Sequence, residues 1–407
     1  MDPKYVYGTS ENRYFSSLQV DTMLQFGRQF PSPGGSSYYL SDDGTPWKER
    51  PRETWITSRM VHSYALGSLL GKENCEQMID APIRGLLGEL YDKENDGWYA
   101  GLTSSGDILP GKHCYAHAFV ILAGCSGVIS GRPDAQILLD KSLAVYNKYF
   151  WDEEAGLSCD TWNTDFTVCD TYRGLNANMH SVEAFLAVAD VTGNETYRVR
   201  AGRIIDHVIG WAKANNWRIP EHYTTDWEPD LYFNIDKPND QFKPFGATPG
   251  HGIEWSRLIT QWAVSTYKDD SKRIPYLDAA VNLYHRAISD GWNTDGAPGI
   301  VYTTDWEGKP IVHDRMHWVI AEAINTSATL FQVTGDRLYA DNYAHFMQYV
   351  DEKVIDHTYN SWFHQLDCHN KVLNTVWPGK PDIYHDLQAM LIPYYPVGIS
   401  IAAAIGK

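Results

Sequence analysis

Histidine and carboxylate are the side chains of this sequence that recur at a spacing able to move protons. His180 and Glu183 stand three residues apart in Asn176-Ala177-Asn178-Met179-His180-Ser181-Val182-Glu183, and His251 and Glu254 do the same in Thr248-Pro249-Gly250-His251-Gly252-Ile253-Glu254-Trp255. Residues i and i+3 share one face of a helix. A carboxylate beside an imidazole fixes its tautomer and stabilises its charged form, which a general base working near neutral pH requires. The same two groups suit a divalent ion, so metal ligation is the alternative for either pair. A third histidine, His385, ends Gly379-Lys380-Pro381-Asp382-Ile383-Tyr384-His385, and Arg59 ends Trp55-Ile56-Thr57-Ser58-Arg59. Any one of them alone reads as readily as a hydrogen-bonded structural residue. Their chemistry depends on whether the fold gathers them in one cavity. Other motifs give no anchor: Gly106 to Lys112 spells G-x-x-x-x-G-K, but His113 follows where Ser or Thr should stand, and G-x-S-x-G, H-E-x-x-H and G-x-G-x-x-G are missing.

The elements that must position these residues repeat along the chain. Val191-Thr192-Gly193-Asn194 and Val333-Thr334-Gly335-Asp336 lie 142 residues apart, and each reads as a helix ending on a left-handed glycine followed by an N-capping Asn or Asp. Weaker copies occur at Leu70-Gly71 and Ser130-Gly131. Gly/Trp/acid clusters such as Asp96-Gly97-Trp98 and Asn360-Ser361-Trp362 predict hairpins, each leading into an apolar helix. First-turn anchors Arg59, His117, His180, His251, Trp318 and His385 follow at intervals of 58, 63, 71, 67 and 67 residues. Ala116–Val128, Met179–Ala189 and Trp318–Phe331 are apolar nearly all round, as inner helices must be, whereas Arg198–Lys213 and Ala340–Lys353 keep a polar face. Six inner and outer pairs predict an all-α fold, an (α/α)6 barrel with short β-hairpins at its mouth, as one domain over residues 1–407. The anchors then converge on that mouth. Tryptophans there (Trp55, Trp98, Trp318, Trp362) are either core or platforms for the C–H faces of sugars, Trp318 being the stronger candidate for contact.

Composition narrows the partners. A net charge of −17, with no basic run, excludes a nucleic-acid or membrane-surface role and leaves a small molecule. The longest apolar stretches, Ala116–Ile129 and Tyr394–Ile405, are shorter than the roughly 20 residues of a bilayer span. No export signal is visible after Met1, and six scattered cysteines without a C-x-x-C pair suit free thiols, so the expected location is cytoplasmic. A homo-oligomer is left open.

Taken together, Trp55-Ile56-Thr57-x-Arg59-Met60-x-His62, Asn176-x-Asn178-Met179-His180-x-Val182-Glu183, Thr248-Pro249-Gly250-His251-x-Ile253-Glu254-Trp255-x-Arg257-Leu258 and Asp382-Ile383-Tyr384-His385 resemble the N-acylglucosamine 2-epimerase superfamily, within it the aldose-ketose isomerase branch of mannose and sulfoquinovose isomerases. The resemblance runs from about Asn12 to Pro393. It implies an (α/α)6 barrel, a monosaccharide substrate, no cofactor and no metal. It also implies a proton passed between two histidines and a cis-enediol(ate), with His251 and His385 as the acid/base pair. Arg59, Tyr115, Asn176, His180, Glu254 and Trp318 would line the sugar site, His385 serving the carbon-bound proton and His251 the oxygens. Gln241, Pro381 and His364 depart from the sulfosugar pattern, where an arginine and two glutamines stand, which favours a neutral hexose such as D-mannose, with D-lyxose as a further substrate. Return of the proton to C2 would make the same residues a 2-epimerase. A glycoside hydrolase using Glu254 and Asp382 and a non-catalytic sugar binder are the remaining readings, and the hydrolase would leave three mouth histidines without a task.

Overall fold

The computed structural model describes residues 1–407. Six inner helices surround an axis: α2 (Thr54–Leu69), α4 (Cys114–Ile129), α6 (Leu175–Thr192), α8 (Pro249–Thr266), α10 (His317–Thr334) and α12 (Tyr384–Leu391). Behind them stand α3 (Cys75–Leu87), α5 (Ala135–Tyr149), α7 (Glu195–Ala214), α9 (Asp270–Gly291) and α11 (Arg337–Tyr349), while α1 (Ser10–Phe26) returns from the N-terminus to back α12 and close the ring. The fold is an (α/α)6 barrel.

Burial explains which helix goes where. Every residue from Thr54 to Gly67 in α2, and from His317 to Leu330 in α10, is buried. Such helices have an outer helix behind, a neighbour on each side and the axis in front. In α7 the buried positions are Tyr197, Ala201, Ile204, Ile205, Val208 and Ile209 among others, one stripe at helical spacing. One continuous apolar core of 97 buried residues runs through the barrel wall.

The helix junctions form as their residues dictate. Gly193 and Gly335 take φ of 71° and 70°, and Asn194 and Asp336 cap α7 and α11 through Thr196 N–H (3.1 Å) and Leu338 N–H (2.9 Å). The weaker copies differ: Asn74 and Asp134 themselves enter the left-handed region, at φ 60° and 61°, and cap nothing with their side chains.

Two-residue strands gather at one end. Arg52–Glu53, Lys112–His113, Arg173–Gly174 and Arg315–Met316 run straight into α2, α4, α6 and α10, and each pairs with a strand farther along the chain, stitching the rim. Buried ion pairs bolt hairpins to this rim, among them Lys112–Asp92 (2.8 Å), Arg315–Asp295 (2.7 Å) and Lys380–Asp356 (2.6 Å). At the opposite end α13 (Ile401–Ile405) packs under α2, α4 and α6. No helix is long and apolar enough to cross a membrane, and all six cysteines are free thiols.

Candidate active site

Every inner helix sends a side chain into one cavity of 500 Å³ at the strand-bearing end: Arg59 from α2, Tyr115 from α4, Asn176 and His180 from α6, His251 and Glu254 from α8, Trp318 from α10 and His385 from α12. All sit in the first or second turn of their helices. Gln241, Phe242, Tyr302, His317, His364, Trp377 and Asp382 complete the lining, so Gln241 and His364 share the pocket and Pro381 does not reach it. The other anchor, His117, lies in the core, where Nδ1 donates to His113 O (2.8 Å) and Nε2 accepts from Trp98 N–H (3.1 Å). Trp98 and Trp362 are likewise core, wholly without exposure. Trp55 packs edge-on against Tyr115, Phe242 and Trp377 at the rim.

Each of three mouth histidines meets a carboxylate of its own through Nδ1. His180 pairs with Glu183 (3.3 Å), as the i, i+3 spacing predicts. His251 does not pair with Glu254; its Nδ1 lies 3.0 Å from Glu221, delivered by the rim loop just before the strand His222–Tyr223. Glu254, one turn deeper, meets Arg257 Nη2 at 3.6 Å instead. His385 Nδ1 donates to Glu322 of α10 at 3.3 Å. Sequence reasoning missed both new partners. Glu322 carried a signal, the one charged residue of a helix otherwise of apolar and neutral polar side chains, one turn after Trp318; Glu221 had none, because only the β-pairing of its loop with Arg173–Gly174 brings it to the site.

With Nδ1 facing a carboxylate in each, the other ring nitrogen of each histidine is Nε2. That of His385 lies 3.5 Å from Arg59 Nη2. Arg59 also meets Asp382 (3.3 Å) and donates to the Tyr115 hydroxyl (2.8 Å), while its guanidinium faces the rings of Phe119 (4.5 Å), Tyr384 (4.7 Å) and Trp55 (4.9 Å). Burial, with help from Arg59, pushes His385 below the ordinary imidazole range against the pull of Glu322. Burial brings His180 down to about 4 although Glu183 opposes it. Burial and the neighbouring Glu322 hold Glu254 well above the usual carboxylate range. Asp382, tied to Arg59, is a counter-ion here, which takes the second carboxylate from the hydrolase reading.

Two groups offer convergent metal-ligating atoms within 4.8 Å: His180, Glu183 and Glu254, and His317, His364 and Asp386. In the first, Glu183 already accepts from His180 and from Tyr384 Oη (2.5 Å). In the second, the His317 and His364 rings stack at 3.5 Å and 17°, so their in-plane lone pairs run side by side rather than toward one point. The arrangement as a whole suits proton transfer on a small polar molecule held among rings and hydrogen-bonding groups.

Comparison with known proteins agrees with this geometry. The family model described as N-acylglucosamine 2-epimerase (GlcNAc 2-epimerase) matches residues 34–389. A D-mannose isomerase of Pseudomonas cannabina pv. alisalensis is 42% identical over 355 residues, covering 86% of this chain and 85% of that protein. One from Thermobifida fusca is 37% identical over 397 residues, 97% of each. A crystal structure of D-mannose isomerase superposes with a TM-score of 0.85 at 26% identity, covering 94% of this chain and 96% of the other. The chain belongs to the N-acylglucosamine 2-epimerase family.

Proposed function

We propose that this chain is an aldose-ketose isomerase that interconverts D-mannose and D-fructose, with D-lyxose and D-xylulose as a second pair. The observation that carries the reading is the pair His251 and His385, whose Nδ1 atoms face carboxylates of their own at 3.0 and 3.3 Å, both rings lining a pocket that Arg59 also lines. The likeness to two D-mannose isomerases over most of the chain supports it.

The reaction begins with the open-chain aldehyde. His385 Nε2 takes the C2 proton as electrons move into a C1–C2 double bond and onto O1, giving a cis-enediolate. His251 delivers a proton to O1 and accepts the O2 proton, and His385 then returns its proton to C1, leaving the ketone at C2. Atoms and charge balance without a redox partner. Arg59, beside His385 and hydrogen-bonded to Tyr115, faces the developing negative charge. Positioned acid/base groups contribute about 10²- to 10⁴-fold each.

A neutral hexose fits better than a sulfosugar, since Arg59 is the one cation lining the pocket and Asp382 already pairs with it. The lining residues are drawn from all six inner helices of one barrel, which supports reading residues 1–407 as a single domain. Free thiols fit a cytoplasmic setting.

The test is D-mannose in D₂O with the EDTA-treated protein, followed by NMR. Fructose carrying deuterium at C1 is expected, and His251→Asn or His385→Asn should each remove nearly all turnover. Glucose labelled at C2 as the main product makes the chain an epimerase. Turnover of sulfoquinovose but not mannose, or of neither, overturns the reading.

A further inference from the structure

Below the sugar pocket one guanidinium holds two carboxylates unequally. Arg257 Nε donates to Glu322 at 2.7 Å, whereas Arg257 Nη2 lies 3.6 Å from Glu254 Oε1, and neither of those last two atoms has a hydrogen-bond partner. All three side chains are at most 4% exposed. Arg257 does not line the sugar pocket; it lines a separate cavity of 610 Å³ toward the closed end, with His62, Glu183 and Gln388.

Two buried carboxylates facing one arginine cannot both ionise cheaply, because the second charge has no counter-ion. The short bond assigns the charge to Glu322 and the proton to Glu254. The surrounding groups do not change this. From α6, Glu183 is taken up by His180 and Tyr384; from α2, Arg59 is taken up by Asp382. An ionised carboxylate only accepts hydrogen bonds. Glu322, with its second oxygen 3.3 Å from His385 Nδ1, therefore requires the hydrogen on Nδ1 and leaves Nε2 bare.

We infer that Arg257 is a positioning residue for His385: by keeping Glu322 ionised it fixes the His385 tautomer whose Nε2 can act as a base, and it leaves on Glu254 an acidic hydrogen that points to the sugar. The kinetic part of this rests on the isomerase reading; the tautomer does not.

The experiment compares the parent with Arg257→Met, Arg257→Lys and Glu322→Gln, using ¹⁵N-histidine NMR for the His385 tautomer, the pH profile of kcat, and thermal melting. The parent should show the Nδ1–H form alone. Without the guanidinium Glu322 protonates more readily, so Arg257→Met should mix the tautomers and move the acid limb of kcat up by about 1 to 3 pH units. Arg257→Lys keeps the charge and should hold both close to the parent. Glu322→Gln, whose amide can donate to Nδ1, should mix the tautomers even if Arg257→Met fails to fold. A folded Arg257→Met with an unmoved limb and a single Nδ1–H form, or Glu322→Gln with an unchanged tautomer, overturns the inference. If the parent isomerises no sugar, the functional reading fails while the NMR comparison still decides this one.

Discussion

The Trp318 indole lies 4.9 Å from the His251 imidazole, tilted by 33°, and 6.1 Å from that of His385, so one ring adjoins both acid/base candidates. Gly250 makes this possible. A Cβ at that position would come within 2.6 Å of the Trp318 ring and of Val319 Cγ2.

Gly250→Ala should therefore displace Trp318 without touching a titratable group. A fall in kcat/KM of about 10²-fold is expected from so small a misplacement, with far-ultraviolet circular dichroism unchanged. Activity within a factor of two of the parent would show that the indole has no part in holding the sugar.

Glu254 and Glu322 should answer differently to the same isosteric change. Glutamine resembles the protonated acid that Glu254 already is, so Glu254→Gln should lose about tenfold or less, the scale of one altered hydrogen bond. Glu322→Gln removes a charge on His385 and should lose more. Steady-state kinetics of the two variants check the order, and equal losses would refute the unequal protonation.

His385 works as a base only when neutral, and burial lowers its proton affinity below the ordinary 6.5. The midpoint of the acid limb of turnover should therefore fall below 6.5. An acid limb centred above 6.5 in the kcat profile would contradict the environment described for this imidazole.

Stability should also fall with acid, for a related reason. Burial brings His62 down to about 4 and His117 to about 3. Below 6.5 the unfolded chain takes up protons that these native imidazoles refuse, so the stabilisation is complete above that pH and is lost as the pH drops toward the folded values. Melting temperatures measured from about pH 7 down to about pH 5 should decline steadily.

The rim bolts give a prediction away from the chemistry. Lys380 and Asp356 are both buried and 2.6 Å apart. Lys380→Met strands a buried carboxylate and should cost about 3 to 5 kcal/mol in denaturant unfolding.

What could be read beforehand followed the range of the interactions. Inner helices such as α10 announce themselves by being apolar nearly all round, and Gly193 and Gly335 mark junctions because no other residue takes their backbone so easily. Arg59, His180, His251, Trp318 and His385 were legible as first-turn anchors of inner helices and Glu254 by its spacing from His251, whereas Tyr115 and Asn176 came with the family resemblance and the anchor His117 falls in the core. The partner of His251 was not legible. Local spacing offered Glu254, three residues on, but a side chain one turn deeper points to the axis, and Glu221 arrives from 30 positions upstream through a strand pairing. Lys112 with Asp92 and Lys380 with Asp356 were hidden likewise, since each ties a hairpin to a rim segment 20 or 24 positions later.

The packing of α13 beneath α2, α4 and α6 makes the barrel a well with a floor. The sugar site lies at the stitched rim, away from that floor, so the aldose and the ketose approach it from the same side.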